Sequence, residues 1–255
     1  MKEITVEITT EDGAMPTFIT HPEDGGSFAP IILYMDIWGI REELREIARR
    51  IATVGYCCLL PDLYYRQGRV STEFRDESGR MISLHKLDAA REKLVHAPRS
   101  RVTNAMLMKD TSALLAHIDG MDSTRPGPVG SIGWCMGGWL VVSAAGQFPD
   151  RMQAGASLHG TRLISDAADS PHLLADRFRG ELYCGFGERD HFSPPELIAE
   201  MSALLGPLPV TFSHAVHEGA EHGYALPDRD IYDPQAAARD WEKIFPMWRR
   251  VLGVG

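Results

Sequence analysis

A cysteine flanked by glycines, in the stretch GWCMGG at residues 133–138, has the surroundings that a covalent nucleophile needs. Cys135 follows an apolar run that ends at Gly133 and precedes the helical spacing of residues 136–146. A nucleophile on a sharp strand-to-helix turn requires small neighbours, because its backbone is strained and the strand and helix approach closely. The N-terminus of the following helix also favours a thiolate. The stretch therefore predicts that Cys135 is a nucleophile at the end of a buried strand.

An aspartate and a histidine follow Cys135 in the chain order that such a nucleophile uses. Asp190 lies in GERDHF, just after the predicted strand 181–186, and His222 lies in EGAEHGY, after the predicted strand 210–214. Because the carboxyl ends of parallel strands meet at one edge of a sheet, we expect the three side chains to lie together. Cys135 would attack the substrate. His222 would take up its proton or pair with its thiolate and then protonate the leaving group, and Asp190 would hold the imidazole in the correct tautomer.

Strands and helices alternate along most of the chain and would place these residues at one sheet edge. Apolar runs and period-two segments predict eight strands, at residues 4–8, 15–20, 30–35, 56–60, 129–133, 153–158, 181–186 and 210–214. Helical spacing predicts helices at residues 41–53, 104–118, 136–146, 194–205 and 235–252. The pattern indicates an α/β fold with a mostly parallel eight-stranded sheet, helices on both faces and an antiparallel first pair of strands.

We expect one domain that spans residues 1–255, with an excursion or lid-like segment at about 64–110. The first part of that segment is polar, rich in charge and weakly periodic, which is not typical of a core element. The chain length and its 44% hydrophobic content suffice for one sizeable core. The sequence leaves open whether the excursion closes over the site.

Charge and targeting signals exclude several classes of partner. The formal net charge is -9, with 35 acidic against 26 basic residues, and this balance argues against nucleic-acid binding. No run is long and apolar enough to span a bilayer, and the N-terminal stretch MKEITVEITT lacks the apolar core of a signal peptide. We therefore expect a cytoplasmic protein with a small-molecule substrate, and the oligomeric state stays open.

A metal site is not expected, although three histidines lie close together in the sequence. His217 and His222 are five residues apart with Gly219 between them, whereas a zinc hydrolase uses two histidines four apart on one helix face. His214 and His217 fit strand-end or surface positions better. The sequence therefore predicts no metal.

A redox or ligand-sensing role for Cys135, without hydrolysis, is the alternative function. A redox role requires a resolving cysteine, and the chain has no CxxC pair. Cys57, Cys58 and Cys184 lie in apolar runs and fit the core as small hydrophobic residues. The aspartate and histidine that follow Cys135 favour hydrolysis over this alternative.

Several motifs in register resemble the dienelactone hydrolase (carboxymethylenebutenolidase) family of α/β-hydrolases. They are MDIWG at residues 35–39, LPDLY at 60–64, GWCMGG, GERDHF and EGAEHGY. The similarity runs from about residue 4 to the C-terminal helix and is weak only across residues 64–110. The resemblance implies a hydrolase of small carboxylic esters or lactones that uses a Cys-His-Asp triad, a thioester acyl-enzyme and no cofactor. It also implies an oxyanion hole formed by the backbone N–H groups of Ile37 and Met136.

Two positions depart from the family pattern. Asp36 stands where the family has a glutamate that contacts the resting nucleophile, and it would still accept the thiol proton, at longer reach. Leu226 stands where dienelactone hydrolases have an arginine that binds the substrate carboxylate. A second family arginine would fall in the excursion, where the candidates are Arg75, Arg80 and Arg91. We therefore expect neutral esters or lactones to be preferred over an anionic dienelactone.

Large side chains next to the motifs are the candidates for the substrate pocket. They are Trp38, Tyr64, Trp134, Tyr224 and Leu226. Tyr64 and Tyr224 are favoured because each follows a motif at the end of a strand.

Overall fold

The computed structural model describes residues 1–68, 70 and 72–253, and its centre is a sheet of eight strands. The strands are β1 (Lys2–Thr10), β2 (Gly13–His21), β3 (Ala29–Tyr34), β4 (Tyr56–Pro61), β5 (Val129–Trp134), β6 (Met152–Leu158), β7 (Glu181–Gly187) and β8 (Thr211–His217). Every residue of β3, β4 and β5 is buried, as continuous apolar runs require when both faces of a sheet are covered. The expected α/β-hydrolase fold, with its mostly parallel sheet, is confirmed.

The order of the strands is β1-β2-β4-β3-β5-β6-β7-β8. The expected antiparallel pair β1–β2 is present, but β2 also runs antiparallel to β4. The prediction of a single antiparallel pair was therefore incomplete. The second pair joins Thr17–Thr20 of β2 to Cys58–Pro61 of β4, and local alternation carries no signal for pairing across such a distance in the chain.

Six helices of the described residues accompany the sheet. They are α1 (Glu42–Thr53), α2 (Ala89–Arg99), α3 (Asn104–Asp119), α4 (Met136–Gln147), α5 (Pro195–Leu205) and α6 (Pro234–Leu252). Neighbouring glycines show that both faces are covered: a Cβ atom on Gly130 of β5 would meet Leu252 of α6, whereas one on Gly155 of β6 would meet Val141 of α4. No helix in the described ranges combines the length and the apolar character needed to cross a bilayer.

The excursion ends earlier than expected, because residues 104–110 belong to α3 and Leu107 is buried in the core. The segment contains two short 3₁₀ turns, at Tyr65–Gln67 and Leu84–Lys86, followed by α2. Residues 69 and 71, which the expected excursion included, lie outside the described residues.

Part of the excursion is attached to the loop that follows β8. Met81 donates its N–H to the Asp228 carbonyl at 2.7 Å, and its carbonyl accepts the N–H of Asp230 at 3.0 Å. Met81 and Val95 pack with Ile37 and Trp38 in a small apolar cluster, against which Cys135 also lies. The excursion therefore covers the edge of the sheet at which Cys135 is found.

Candidate active site

Cys135 connects β5 to α4 through a strained turn. Its φ is 53° and its ψ is -113°, a conformation that residues with a side chain rarely adopt. The backbone around it is anchored: its N–H donates to the Leu158 carbonyl at 3.1 Å, and its carbonyl accepts the N–H of Thr161 at 3.2 Å. This geometry is that of a nucleophile elbow, in which a side chain projects from the end of a central strand.

The flanking glycines are required by close backbone contacts. A Cβ atom on Gly133 would lie 2.3 Å from the carbonyl carbon of Gly137, and one on Gly137 would lie 2.3 Å from the Tyr34 carbonyl oxygen. A side chain at Gly133 would push the start of α4 away from β5, and one at Gly137 would push it away from β3. The sequence GWCMGG thus reflects the packing of a helix start directly over two strands.

His222 and Asp190 form a hydrogen-bonded pair at the same edge of the sheet. The Nδ1 atom of His222 lies 2.8 Å from Oδ2 of Asp190. The other carboxylate oxygen, Oδ1, accepts the N–H of Phe192 at 2.9 Å, which fixes the orientation of the carboxylate. The Asp190 side chain is fully buried and that of His222 is 14% exposed. The aspartate is therefore held to orient the imidazole rather than to meet solvent.

The opposite side of the His222 ring faces Cys135. The Nε2 atom is buried and has no nitrogen or oxygen partner among the described residues. Burial lowers the pKa of His222, but the negative charge of Cys135 and the hydrogen bond to Asp190 raise it more strongly, to about 10. The charges of Cys135 and Asp190 therefore favour the protonated form of the His222 imidazole.

The backbone expected to bind an oxyanion is supported from below by Tyr64. Its hydroxyl donates to the Ile37 carbonyl at 3.0 Å and contacts the Met136 sulfur at 3.6 Å. Ile37 and Met136 are both buried beside Cys135, and Met136 opens α4. The first peptide groups of a helix point their N–H bonds outward, which is the arrangement an oxyanion needs.

Two cavities meet at Cys135. One has a volume of about 140 Å³ and is lined by residues of the excursion together with Cys135, His222, His159 and Arg229. The other, of about 350 Å³, extends past Met136 to Arg99 and Arg162. Both share Ile37 and Cys135, so a substrate carbonyl placed at the sulfur would have space on either side.

Asp36 lies in the first cavity, but its carboxylate is engaged by Arg41. The two carboxylate oxygens accept the Arg41 guanidinium at 2.7 and 3.0 Å, and Oδ1 also accepts the Trp38 N–H at 3.1 Å. No hydrogen bond joins Asp36 to Cys135 in the part of the chain that the structure describes. The expected contact between Asp36 and the resting thiol is therefore replaced by an ion pair between Asp36 and Arg41. Arg41 binds the carboxylate of this aspartate, which is shorter than the glutamate of the family.

Of the side chains expected to line the pocket, only Trp38 does so. The other four side chains are fully buried and line neither cavity at Cys135; they are those of Tyr64, Trp134, Tyr224 and Leu226. The Tyr224 hydroxyl donates to Asp240 at 2.7 Å, which holds the ring in the core. Proximity to a motif in the sequence therefore did not predict the pocket lining, because these four side chains lie in the core below the site.

Arg229 is a site residue that sequence reasoning missed. It lines the cavity with Cys135, is 5% exposed, and stacks 4.8 Å above the Trp38 ring. Its guanidinium has no carboxylate partner among the described residues, and its Nε atom has no hydrogen bond at all. It lies in an irregular loop, where periodicity gives no signal. The site therefore contains a buried positive charge, although the chain as a whole is acidic.

His159 is a second residue that the sequence analysis did not single out. Its ring packs edge-on against His222 with 4.9 Å between centroids, and both of its nitrogens are buried without a hydrogen-bond partner in the described ranges. Burial, followed by the charges of His222 and Arg229, keeps its pKa well below the usual range. The imidazole is therefore neutral. Its place directly after β6, at the carboxyl edge of the sheet, is the signal that would have found it.

The remaining candidate residues lie elsewhere. Arg75, Arg80 and Arg91 line neither cavity at Cys135. His217 is the last residue of β8, one of the two positions expected for it, and it is buried and pairs with Asp240 at 2.7 Å. The described residues contain no group of three or more histidine, cysteine or acidic side chains arranged to hold a metal ion.

A family model, curated proteins and a solved structure all match this chain over most of its length. The model of the dienelactone hydrolase family matches residues 15–252. A putative carboxymethylenebutenolidase of Synechocystis sp. is 26% identical over 255 residues, which cover 99% of this chain and 98% of that protein. One of Methylorubrum extorquens is 28% identical over 253 residues, covering 98% and 81% of the two chains. The crystal structure of a putative dienelactone hydrolase from Klebsiella pneumoniae superposes with a TM-score of 0.83 at 20% identity, over 98% of each chain.

Proposed function

Because this chain belongs to the dienelactone hydrolase family, and is thus a hydrolase of small carboxylic esters or lactones, we propose that Cys135, His222 and Asp190 are its catalytic triad. The thiolate of Cys135 attacks the acyl carbon, and the backbone N–H groups of Ile37 and Met136 bind the oxyanion. His222 gives its proton to the leaving oxygen, and a thioester forms. A water molecule then loses a proton to His222 and attacks the thioester, which releases the acid and restores the thiolate.

The observation that carries this proposal is the position of His222. One ring nitrogen is fixed by Asp190 at 2.8 Å, and the other faces Cys135 with no competing nitrogen or oxygen among the described residues. A histidine held only on one side can exchange its proton with the nucleophile and the leaving group. A redox role is not supported, because the other three cysteines are buried and free.

We propose further that the substrate carries an anionic group. Arg229 presents a buried guanidinium to the cavity at Cys135, and a carboxylate is the group that such a fork binds best. This proposal differs from the preference for neutral substrates, which rested on Leu226 and on the net charge of -9. Leu226 is buried outside the cavity, so its apolar character has no bearing on the charge of the substrate.

A hydrolysis panel with nucleophile and control variants tests the proposal. The panel contains neutral aryl esters, aryl esters that bear a carboxylate, small neutral lactones, and cis- and trans-dienelactone. We expect Cys135→Ala to abolish turnover and Cys184→Ala, which removes a thiol buried in β7, to retain it. Turnover by Cys135→Ala comparable to wild type, in a correctly folded protein, would exclude the triad.

A further inference from the structure

Arg41 joins two carboxylates that come from different parts of the chain. Its guanidinium is bidentate to Asp36, at 2.7 and 3.0 Å, and also bidentate to Asp228, at 2.6 and 3.3 Å. The Arg41 side chain is fully buried, and the side chains of Asp36 and Asp228 are 1% and 7% exposed. One cation therefore compensates two anions in a region that water hardly reaches.

Arg229 lies beside this group without taking part in it. It follows Asp228 directly in the chain, and it lines the cavity together with Asp36. The charges of both carboxylates act on its guanidinium. Yet no carboxylate pairs with it within the described residues: its guanidinium stacks on the Trp38 ring, and its backbone N–H donates to the Leu226 carbonyl. Asp36 and Asp228 thus both pair with Arg41, and the Arg229 guanidinium, which faces the cavity, has no carboxylate partner among the described residues.

The planar fork of arginine explains this division. A guanidinium can bind two carboxylates bidentately through its different edges, whereas a lysine ammonium is a single point charge. Asp36 is further fixed because its Oδ1 accepts the Trp38 N–H at 3.1 Å. The same carboxylate therefore also fixes the turn that carries Ile37.

We propose that Arg41 is a positioning residue that retains Asp36 and Asp228 and so keeps Arg229 available for an anionic group next to Cys135. Without Arg41, the two carboxylates are buried with Arg229 as the remaining cation beside them, and they pair with it. The inference rests on the proposed position of Cys135 in the active site and on Arg229 facing the substrate. It does not require that the chain hydrolyse any particular ester.

Alkylation of Cys135 reports whether the positive charge of Arg229 is available next to the sulfur. Two alkylating reagents are compared that react in the same way but differ in charge. Iodoacetate is anionic and iodoacetamide is neutral, and peptide mass spectrometry identifies Cys135 as the labelled residue because the other cysteines are buried. The quantity compared is the ratio of the iodoacetate rate to the iodoacetamide rate. The ratio cancels changes in the reactivity of the thiolate, which affect both reagents.

We expect Arg41→Met to lower this ratio by about tenfold, as for the loss of one charge-assisted contact. Replacing Asp36 and Asp228 by asparagine in the Arg41→Met protein removes the released carboxylates and restores the ratio. Arg66→Met is the matched control, because Arg66 makes a bidentate ion pair with buried Asp110 at 2.8 Å but lines neither cavity at Cys135. A purely structural role predicts no difference between the two arginine variants in this ratio.

An unchanged ratio in folded Arg41→Met, or a fall that the asparagine substitutions do not reverse, would overturn the inference. If Arg41→Met does not fold, Arg41→Lys decides, since the ammonium cannot hold both carboxylates bidentately and the ratio must fall. An unchanged ratio in folded Arg41→Lys would also overturn the inference. Failure of the proposed hydrolysis would instead appear as turnover that persists in Cys135→Ala, and alkylation does not depend on turnover.

Discussion

His222 is held by Asp190 through a single contact, 2.8 Å between Nδ1 and Oδ2, in which the carboxylate is fully buried. We expect Asp190→Asn to lower kcat by about 10²–10⁴-fold, because the amide no longer compensates the imidazolium and no longer selects its tautomer. KM should change little, since Asp190 does not face the substrate. Steady-state kinetics on an aryl ester measure both constants.

The second buried pair of this kind provides the control for that prediction. His217 Nε2 lies 2.7 Å from Oδ1 of Asp240, away from both cavities at Cys135. Asp240→Asn makes the same chemical change at the same depth and should leave kcat of the folded protein within a few-fold of wild type. Equal losses in the two variants would assign the effect of Asp190 to packing.

The protonation of His222 should persist far above neutral pH. Its pKa is raised to about 10, although burial alone lowers it, so the ring is charged at pH 7–9. A raised folded-state pKa stabilises the protein fully below the unfolded value of about 6.5, and this contribution disappears as the pH rises toward 10. NMR titration of the ring nitrogens should show one midpoint near 10 in wild type. In Cys135→Ala the midpoint should move down, because the thiolate charge is gone; the same midpoint in both proteins would refute the ion pair.

Arg229 should determine the preference for substrate charge. We expect Arg229→Met to lower kcat/KM for a carboxylate-bearing ester by about 10–100-fold and to affect a neutral ester of the same size much less. Arg250→Met changes the net charge equally at a site on α6, where the side chain is 60% exposed and pairs with Glu181, and should leave the ratio unchanged. A wild type that prefers the neutral ester by orders of magnitude would contradict this prediction.

The hydroxyl of Tyr64 should contribute to kcat rather than to binding. It donates to the Ile37 carbonyl at 3.0 Å and so orients the peptide expected to bind the oxyanion. Tyr64→Phe should lower kcat by about fivefold, the effect of about 1 kcal/mol, without raising KM. Tyr34→Phe removes a buried hydroxyl that bonds Thr111 at 3.0 Å away from the cavities, and kcat of that variant should stay near wild type. A loss confined to KM in Tyr64→Phe would disprove the orienting role.

The sequence predicted the strands and the residues at their ends, since apolar periodicity and the order of parallel strands determine both. Cys135, Asp190 and His222 lie at such strand ends, and the structure brings them to one edge of the sheet. The antiparallel pairing of β2 with β4 was not predictable, because it depends on which distant strand covers an edge.

The lining of the cavity was harder to predict than the strand ends. Arg229 comes from an irregular loop, and the contact of Arg41 with Asp228 joins residues that are 187 positions apart. Tyr64 and Tyr224 were misplaced because their hydroxyl groups bond inward, to Ile37 and to Asp240. Side-chain direction at a strand end depends on such tertiary partners rather than on the local pattern.

Detection of the proposed thioester on Cys135 is the most direct test of the mechanism. The wild-type protein is mixed with an excess of an activated aryl ester, quenched in acid within the first turnovers, digested and analysed by mass spectrometry. We expect one acyl group on the peptide that contains Cys135, formed as fast as the burst of released phenol, and none on that peptide in Cys135→Ala. Steady turnover of the ester with no acyl group on Cys135, or with full activity in Cys135→Ala, would contradict the proposed mechanism.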